Sequence, residues 1–143
     1  MAVTVAVRGV RAAGLAASLG RSGRRLLTGL ELKDAELSVL LVSDAEMKRL
    51  NRDWRGKDRP TDVLAFAQRE GGGAAPENLL GDVVISVDTA RRQARSGRRP
   101  LGREAERLLV HGLLHLLGWD HERSAREAAE MKRKERELAR WLR

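Results

Sequence analysis

The segment GREAERLLVHGLLHLLG, residues 102–118, decides how this chain folds. Apolar residues lie on nearly all sides of its second half, which is typical of a helix whose C-terminal half is buried. Gly118 stands where a glycine in the left-handed conformation would end such a helix. The segment therefore predicts a helix that enters the core with its C-terminal half.

Shorter elements are predicted on both sides of this helix. Alternating or β-branched apolar stretches indicate strands, and two capping boxes, Ser43-Asp44-Ala45-Glu46 and Ser124-Ala125-Arg126-Glu127, indicate helix starts. The first of these helices is expected to turn Met47 and Leu50 inward. Strands are predicted at 3–7, 37–43, 61–66 and 81–87, one or two helices within 11–32, a short helix and basic turn over 88–100, and an amphipathic helix within 124–143.

Two further stretches are predicted to be loops. RGKDRP, residues 55–60, is charged and contains both Gly and Pro. EGGGAAPEN, residues 70–78, is rich in glycine, but no Lys-Ser or Lys-Thr pair follows it. It is therefore interpreted as a surface loop rather than a phosphate-binding loop.

The length and composition favour a single domain, residues 1–143, in a reducing compartment. A chain of 143 residues can bury one core without staples. The absence of cysteine excludes disulfides, thiolate metal sites and cysteine nucleophiles, so any metal must bind His, Asp or Glu. No apolar run approaches membrane-spanning length, so no membrane partner is expected.

The charge balance favours a polyanionic partner. Lys and Arg number 28 against 20 Asp and Glu, a formal charge of +8, and most of the cations are arginines, which bind phosphates bidentately. Alternatively, an Arg-, Ala- and Gly-rich composition reflects genome base composition, and the charge only aids solubility. The densest basic cluster, predicted to contact phosphates, contains Arg91, Arg92, Arg95, Arg98 and Arg99.

All three histidines of the chain lie between residues 111 and 121. His111 and His115 are spaced i, i+4, so on a helix they share one face, and a turn after Gly118 would bring His121 back toward them. A single histidine is more often packed in the core, but three imidazoles without a metal would each need hydrogen-bond partners. The cluster predicts one Zn²⁺ per chain, with a fourth coordination position left for water.

The spacing of these histidines is similar to His-Glu-x-x-His in metalloproteases, but Gly112 occupies the position of the glutamate. The general base of that mechanism is missing, so peptide hydrolysis by it is disfavoured. A glycine beside a ligand instead indicates that a backbone or a ligand approaches the helix closely there.

Three motifs together resemble the YbeY family of bacterial endoribonucleases. HGLLHLLGWDHE (111–122) is similar to the family's His-Gly-x-Leu-His-Leu-x-Gly-x-Asp-His signature. LNRDWRGKDRPTDVLAF (50–66) and LGDVVIS (80–86) are similar to two further family blocks, and they occur in the expected order. Two departures are Ala65, where the family usually has Ser, and Ala67, where it often has Pro. Both leave the histidines in place.

The resemblance implies an α+β, zincin-like domain with a small mixed β-sheet packed on helices. It implies that His111, His115 and His121 bind zinc, and that Arg55 contacts phosphate near the metal. It also implies a zinc-dependent, single-strand-specific endoribonuclease of the bacterial cytoplasm. Such an enzyme would act in ribosomal RNA maturation, including the 3′ end of 16S RNA, and in ribosome quality control, with ribosomal RNA or ribosomal subunits as partners.

Several alternatives remain open at this point. The rival function is a zinc-stabilised RNA-binding or ribosome-assembly module, and a weaker one is a metal-dependent hydrolase of another substrate; an open coordination position would favour an enzyme. Arg55 could instead be a solvated loop arginine. Asp62 and Asp120 could support the metal ligands or cap turns, the turn being favoured for Asp120. Trp54 and Trp119 could stack on bases, but core packing is favoured for both.

Overall fold

Strands and amphipathic helices follow one another in the order that the sequence predicts. The computed structural model describes residues 2–68, 78–120 and 122–143. Within these ranges the strands are β1 (Ala2–Arg8), β2 (Glu36–Val42), β3 (Val63–Ala67) and β4 (Leu79–Ser86). The helices are α1 (Ala13–Gly29), α2 (Asp44–Arg55), α3 (Val87–Ser96), α4 (Leu101–Leu116) and α5 (Ala125–Trp141).

The strands form one mixed sheet in the order β1-β2-β4-β3. β1, β2 and β4 are parallel, whereas β3 runs antiparallel to β4, so β1 and β3 are the two edges. Residues on alternate sides of β4 enter different apolar clusters, because successive side chains of a strand point to opposite faces. The predicted α+β class and small mixed sheet are confirmed.

The main core lies on one face of the sheet, against α1, α4 and α5. Val83 and Ile85 of β4 meet the buried leucines of α4 there. The intervening Val84 faces the other way and packs with Met47 of α2 in a smaller cluster. Helices α2 and α4 therefore lie on opposite faces of the sheet, with edge strand β3 between them. None of the helices in the described ranges is long and apolar enough to cross a membrane.

Gly112 lets α4 approach the sheet closely. A Cβ atom at this position would lie 2.7 Å from Cγ1 of Val83 and 3.3 Å from Cγ2 of Val63. The expected close approach is confirmed, and the approaching group is the sheet itself. Any larger residue would push α4 away from β3 and β4.

The predicted helix ends are confirmed. The hydroxyl of Ser43 accepts from the backbone N–H of Glu46 at 3.2 Å, and that of Ser124 accepts from Glu127 at 3.1 Å. Gly118 has a φ of +95°, and its N–H donates to the carbonyl of His115. The N–H of the next residue donates to the carbonyl of Leu114, which completes a Schellman motif.

Some boundaries differ from the predicted ones. Of the one or two helices predicted within 11–32, the structure has one, α1, because Leu19, Leu26 and Leu27 make one buried stripe along it. Val87 begins α3 instead of ending β4, since the side chain of Ser86 caps that helix. Arg55 is the last residue of α2, so its assignment to the 55–60 loop is wrong. Most of the predicted 70–78 loop lies outside the described residues.

The first turns of α2 and α3 are held together by reciprocal hydrogen bonds. The Asp88 carboxylate accepts from the backbone N–H of Asp44 at 2.8 Å. The Asp44 carboxylate accepts from the hydroxyls of Ser86 at 2.7 Å and Thr89 at 2.6 Å, and it pairs with Arg92 at 2.7 Å. Each carboxylate therefore stabilises the N-terminus of the neighbouring helix.

These contacts set the pKa of Asp44 below its ordinary value of 3.8. Burial acts to raise the pKa, but the hydrogen bonds from the two hydroxyls and the guanidinium outweigh it. The buried Glu104 behaves alike: burial raises its pKa, and Arg107 and Arg99 lower it below 4.5. A carboxyl whose pKa is lower in the folded state stabilises the fold above its unfolded pKa and loses that contribution as the pH falls.

We therefore expect the free energy of unfolding to decrease as the pH falls below about 4. Asp44→Asn should destabilise the protein at pH 7 by about 1–3 kcal/mol, because two hydroxyls and a guanidinium lose an ionised acceptor. Urea titrations at several pH values measure both effects. The difference between the variant and the original chain should narrow as Asp44 becomes protonated, whereas exposed Asp34→Asn should stay within about 0.5 kcal/mol throughout. A difference that does not change with pH would contradict this assignment.

Candidate metal centre

A cleft of about 660 Å³ runs along the outer edge of β3. The end of α2 and the loop after it form one wall, and the end of α4 with its following turn forms the other. The backbone N–H of Ser86 donates to the carbonyl of Asp62, so these two residues form a hydrogen-bonded pair between β4 and β3. In an antiparallel pair of strands such pairs alternate with non-bonded ones, so Val63, Ala65 and Ala67 direct their backbone groups away from β4 and into the cleft. Within the ranges that the structure describes, the exposed cations that line it are Arg55, Lys57, Arg59 and Arg123.

Two of the three predicted metal ligands meet in this cleft. His111 and His115 lie one turn apart on α4, half-buried, with their Nε2 atoms 3.1 Å apart. The rings are 4.7 Å apart between centroids and are inclined by 76°. The i, i+4 spacing therefore brings two nitrogens to one point, as expected.

Glu135 of α5 orients His111 from behind. Its Oε1 atom is 3.1 Å from Nδ1 of His111. When Nδ1–H donates to this carboxylate, the Nε2 lone pair is directed into the cleft, which is the arrangement typical of metal-binding histidines. The sequence reasoning missed Glu135, although its place between buried Met131 and Leu138 on α5 was a signal that it faces α4.

The donor set fits a zinc ion. Two nitrogens bound to one tetrahedral zinc at about 2.0–2.1 Å lie roughly 3.3 Å apart, close to the 3.1 Å between the Nε2 atoms. His121 lies outside the described residues, so its place in the site stays a prediction. Within the described ranges, no three His, Asp or Glu side chains form a group that could hold a metal.

Arg55 is fixed at the lip of the cleft by two contacts with β3. Its Nη2 atom donates to the carbonyl of Ala65 at 2.7 Å, and its guanidinium carbon lies 4.8 Å from the centroid of the Phe66 ring. The first contact uses a backbone oxygen, so the alanine that replaces the family's serine does not affect it. Arg55 and the two histidines thus line the same cleft from opposite walls.

Asn51 holds the loop after α2 in place. The residue is only 3% exposed, and its Nδ2 donates to the carbonyl of Arg59 at 2.8 Å. The Asn51 carbonyl also accepts from the N–H of Lys57 at 3.2 Å. These bonds position the two loop cations on the cleft. The sequence reasoning missed this role, although a polar residue four positions after the inward Met47 needs a buried partner.

The two aspartates accept hydrogen bonds from different sources. Asp120 accepts from the backbone N–H of Glu122 at 2.8 Å, which agrees with the favoured turn role. Asp62 accepts from the N–H of Val63 at 2.8 Å and from the side-chain amide of Gln93 at 3.2 Å. Both also line the cleft.

The two tryptophans have different environments. Trp119 is partly buried and packs against the main core, as expected. Trp54 is 69% exposed, so the favoured core packing is wrong for this residue. It lies at the margin of the small cluster on that face, where it contacts only the partly buried Phe66 among the ring contacts that the structure describes.

The arginine cluster of α3 and its following turn is not among the cleft-lining residues that the structure describes. Arg92 pairs with Asp44, Arg99 pairs with Glu104 at 2.9 Å, and Arg91 donates to the carbonyl of Arg11 at 3.2 Å. Arg95 and Arg98 are exposed. Among the described residues, the exposed cations that line the cleft with the histidines are therefore Arg55, Lys57 and Arg59 on one wall and Arg123 on the other.

Comparisons with known proteins agree with the three motifs. The family model described as Endoribonuclease YbeY matches residues 21–143. The chain is 56% identical over 130 residues to Endoribonuclease YbeY of Anaeromyxobacter sp. (strain Fw109-5), covering 91% of this chain and 60% of the relative. It is 55% identical to that of Anaeromyxobacter dehalogenans, covering 64% of the relative, so it spans about three fifths of the length of these two proteins.

Two other proteins are matched over most of their length. Endoribonuclease YbeY of Syntrophotalea carbinolica is 48% identical, with 85% of this chain and 82% of the relative covered. The solution structure of TM1509 from Thermotoga maritima is similar with a TM-score of 0.70 and 28% identity, covering 98% of this chain and 88% of that one. From the family model and these relatives, the resemblance is confirmed: the chain belongs to the YbeY family.

Proposed function

We propose that this chain is a single-domain, zinc-dependent endoribonuclease that hydrolyses phosphodiesters of single-stranded RNA. The observation that carries the proposal is one cleft that holds two converging imidazole nitrogens on one wall and a fixed guanidinium on the other. The relatives' shared description as endoribonucleases supports the same reaction. We further propose a cytoplasmic location and action in ribosomal RNA maturation, including the 3′ end of 16S RNA, and in ribosome quality control.

The proposed metal ligands are His111, His115 and His121. A zinc ion held by three imidazoles supplies Lewis-acid polarisation of a phosphoryl oxygen and an activated water. Glu135 holds the His111 ring in the tautomer that ligation requires, because its carboxylate accepts the Nδ1 proton. The site thus depends on α5 as well as on α4.

Arg55 is proposed to bind the phosphate that reacts. A guanidinium fixed at Ala65 and Phe66 is already ordered, so it loses little freedom when it meets the developing charge on the phosphoryl oxygens. Lys57 and Arg59 extend the positive surface along the same wall, where they can contact neighbouring phosphates of the strand. The cleft would therefore hold the backbone of the RNA and leave its bases outside the charged wall.

The metal assignment predicts one zinc per chain, measured by elemental analysis of protein purified without chelators. His115→Ala should lose most of the metal and part of the stability, because metal binding to the folded state stabilises it. Glu135→Ala should lower zinc affinity by about 10–100-fold, since the His111 ring loses its orienting partner. The control is Glu137→Ala on the same helix, which removes only an ion pair with Lys134. The assignment is refuted if His115→Ala keeps one zinc per chain and Glu135→Ala binds zinc with the affinity of the original chain.

Arg55→Ala is expected to lower RNA cleavage at least tenfold, because one transition-state contact of this kind contributes on the order of 2–4 kcal/mol. Zinc content and folding should stay nearly unchanged, since the side chain is exposed. Single-turnover cleavage of a single-stranded RNA at saturating protein is the measurement. The control, Arg52→Ala, removes an exposed arginine of the same helix that does not line the cleft.

The same assay separates the proposed enzyme from the rival RNA-binding module. If Arg55→Ala cleaves as fast as the original chain, the role of this residue is refuted. The rival function is favoured if the original chain binds single-stranded RNA but cleaves it neither when loaded with zinc nor after a chelator is added. The protein is then an RNA-binding module with a structural zinc and not an enzyme.

A further inference from the structure

We infer that Trp54 is a stacking platform for one unpaired nucleobase, next to the phosphate held by Arg55. The inference rests on the proposed function and deepens it, because it assigns a base-binding position to the same site. Its starting point is exposure: 69% of Trp54 faces solvent, although tryptophan is normally well buried. A large apolar ring left mostly in water at the end of α2 contributes little burial to the fold.

The ring is nevertheless held in place. Trp54 packs on Phe66, with ring centroids 6.3 Å apart and planes inclined by 65°. The guanidinium of Arg55 lies over the same Phe66 ring, 4.8 Å from its centroid. Phe66 is thus a common support for both side chains, and it fixes the distance between the exposed indole and the cleft.

The surroundings of Trp54 fit a nucleic acid better than an apolar partner. The neighbouring cleft wall carries Arg55, Lys57 and Arg59, which match a phosphate backbone. In the described part of the chain, the other exposed large apolar side chain is Val7, on β1 at the opposite edge of the sheet. A lone aromatic ring among cations is typical of grooves for single strands, whereas protein partners need a continuous apolar patch.

The path of the strand follows from the positions of these groups. The histidines lie on the α4 side of β3, and Trp54 lies on the α2 side, with Arg55 at the lip between them. A strand whose phosphate sits at Arg55 can turn its next base out of the cleft and onto the indole. A base in a duplex is already stacked and paired, so this contact favours unpaired RNA of any sequence.

The test compares binding of two strands to the zinc-loaded protein, and a denaturing gel shows that both strands stay intact during the measurement. One is a single-stranded 2′-O-methyl RNA, and the other is a matched oligomer that has the same phosphates but abasic sugars. Fluorescence anisotropy gives both dissociation constants for the original chain, Trp54→Ala, Trp54→Phe and the control Val7→Ala, an exposed apolar residue at the far edge. Circular dichroism and zinc content show that each variant is folded and loaded.

Trp54→Ala should weaken binding of the base-bearing strand by roughly tenfold or more. Binding of the abasic oligomer should not change, Trp54→Phe should restore most of the affinity, and Val7→Ala should behave as the original chain. Equal affinities of Trp54→Ala and the original chain for the base-bearing strand would overturn the inference. So would an equal loss on both strands, because Trp54 would then act on the shape of the cleft and not on a base.

Failure of this inference and failure of the proposed function give different results. Binding of strands that stay intact does not depend on catalysis. If the original chain cleaves RNA but Trp54→Ala binds normally, the stacking role is wrong and the enzyme stands. If the original chain cleaves no RNA but Trp54→Ala loses affinity for the base-bearing strand alone, the stacking role stands and the enzyme is refuted.

Discussion

The contact between Gly112 and the sheet is the constraint on which the site depends. A Cβ atom at this position would lie only 2.7 Å from the side chain of Val83, which is too close for a real contact. Helix α4 therefore packs against β4 more closely than any residue other than glycine would permit. His111 and His115 flank this glycine on the helix, so the depth of α4 sets how far their nitrogens reach past β3. A helix lifted by one methyl group would carry both imidazoles away from the wall that holds Arg55.

The two walls of the cleft are built independently and meet at one strand. α4 and α5 supply the histidines and Glu135 from the main core, whereas α2 supplies Arg55, Asn51 and Trp54 from the smaller cluster on the other face. β3 touches both groups: Val63 packs under α4, and Ala65 and Phe66 hold Arg55. The shortest strand of the sheet, β3, therefore sets the position of the two walls of the site relative to each other.

Local features were predictable from the sequence, and features that depend on distant partners were not. The capping serines, the turn at Gly118 and the histidine pair are set by residues within four positions of one another, where helix geometry alone decides. Glu135 is 24 residues from His111, and only the packing of α5 on α4 brings them together. Trp54 was misjudged for the same reason, because composition reveals a ring but not which face of the fold it occupies.

The hydrogen bond from Arg55 to Ala65 also bears on aggregation through the edge strand β3. β3 is an edge strand whose outward carbonyls and N–H groups could pair with a strand of a second molecule, a common route to aggregation. Arg55 occupies one of these carbonyls and places a positive charge on the edge. A chain without this arginine would expose more unpaired backbone groups along β3. The residue proposed to bind phosphate thus also protects the edge strand that lines the cleft from pairing with a strand of another copy.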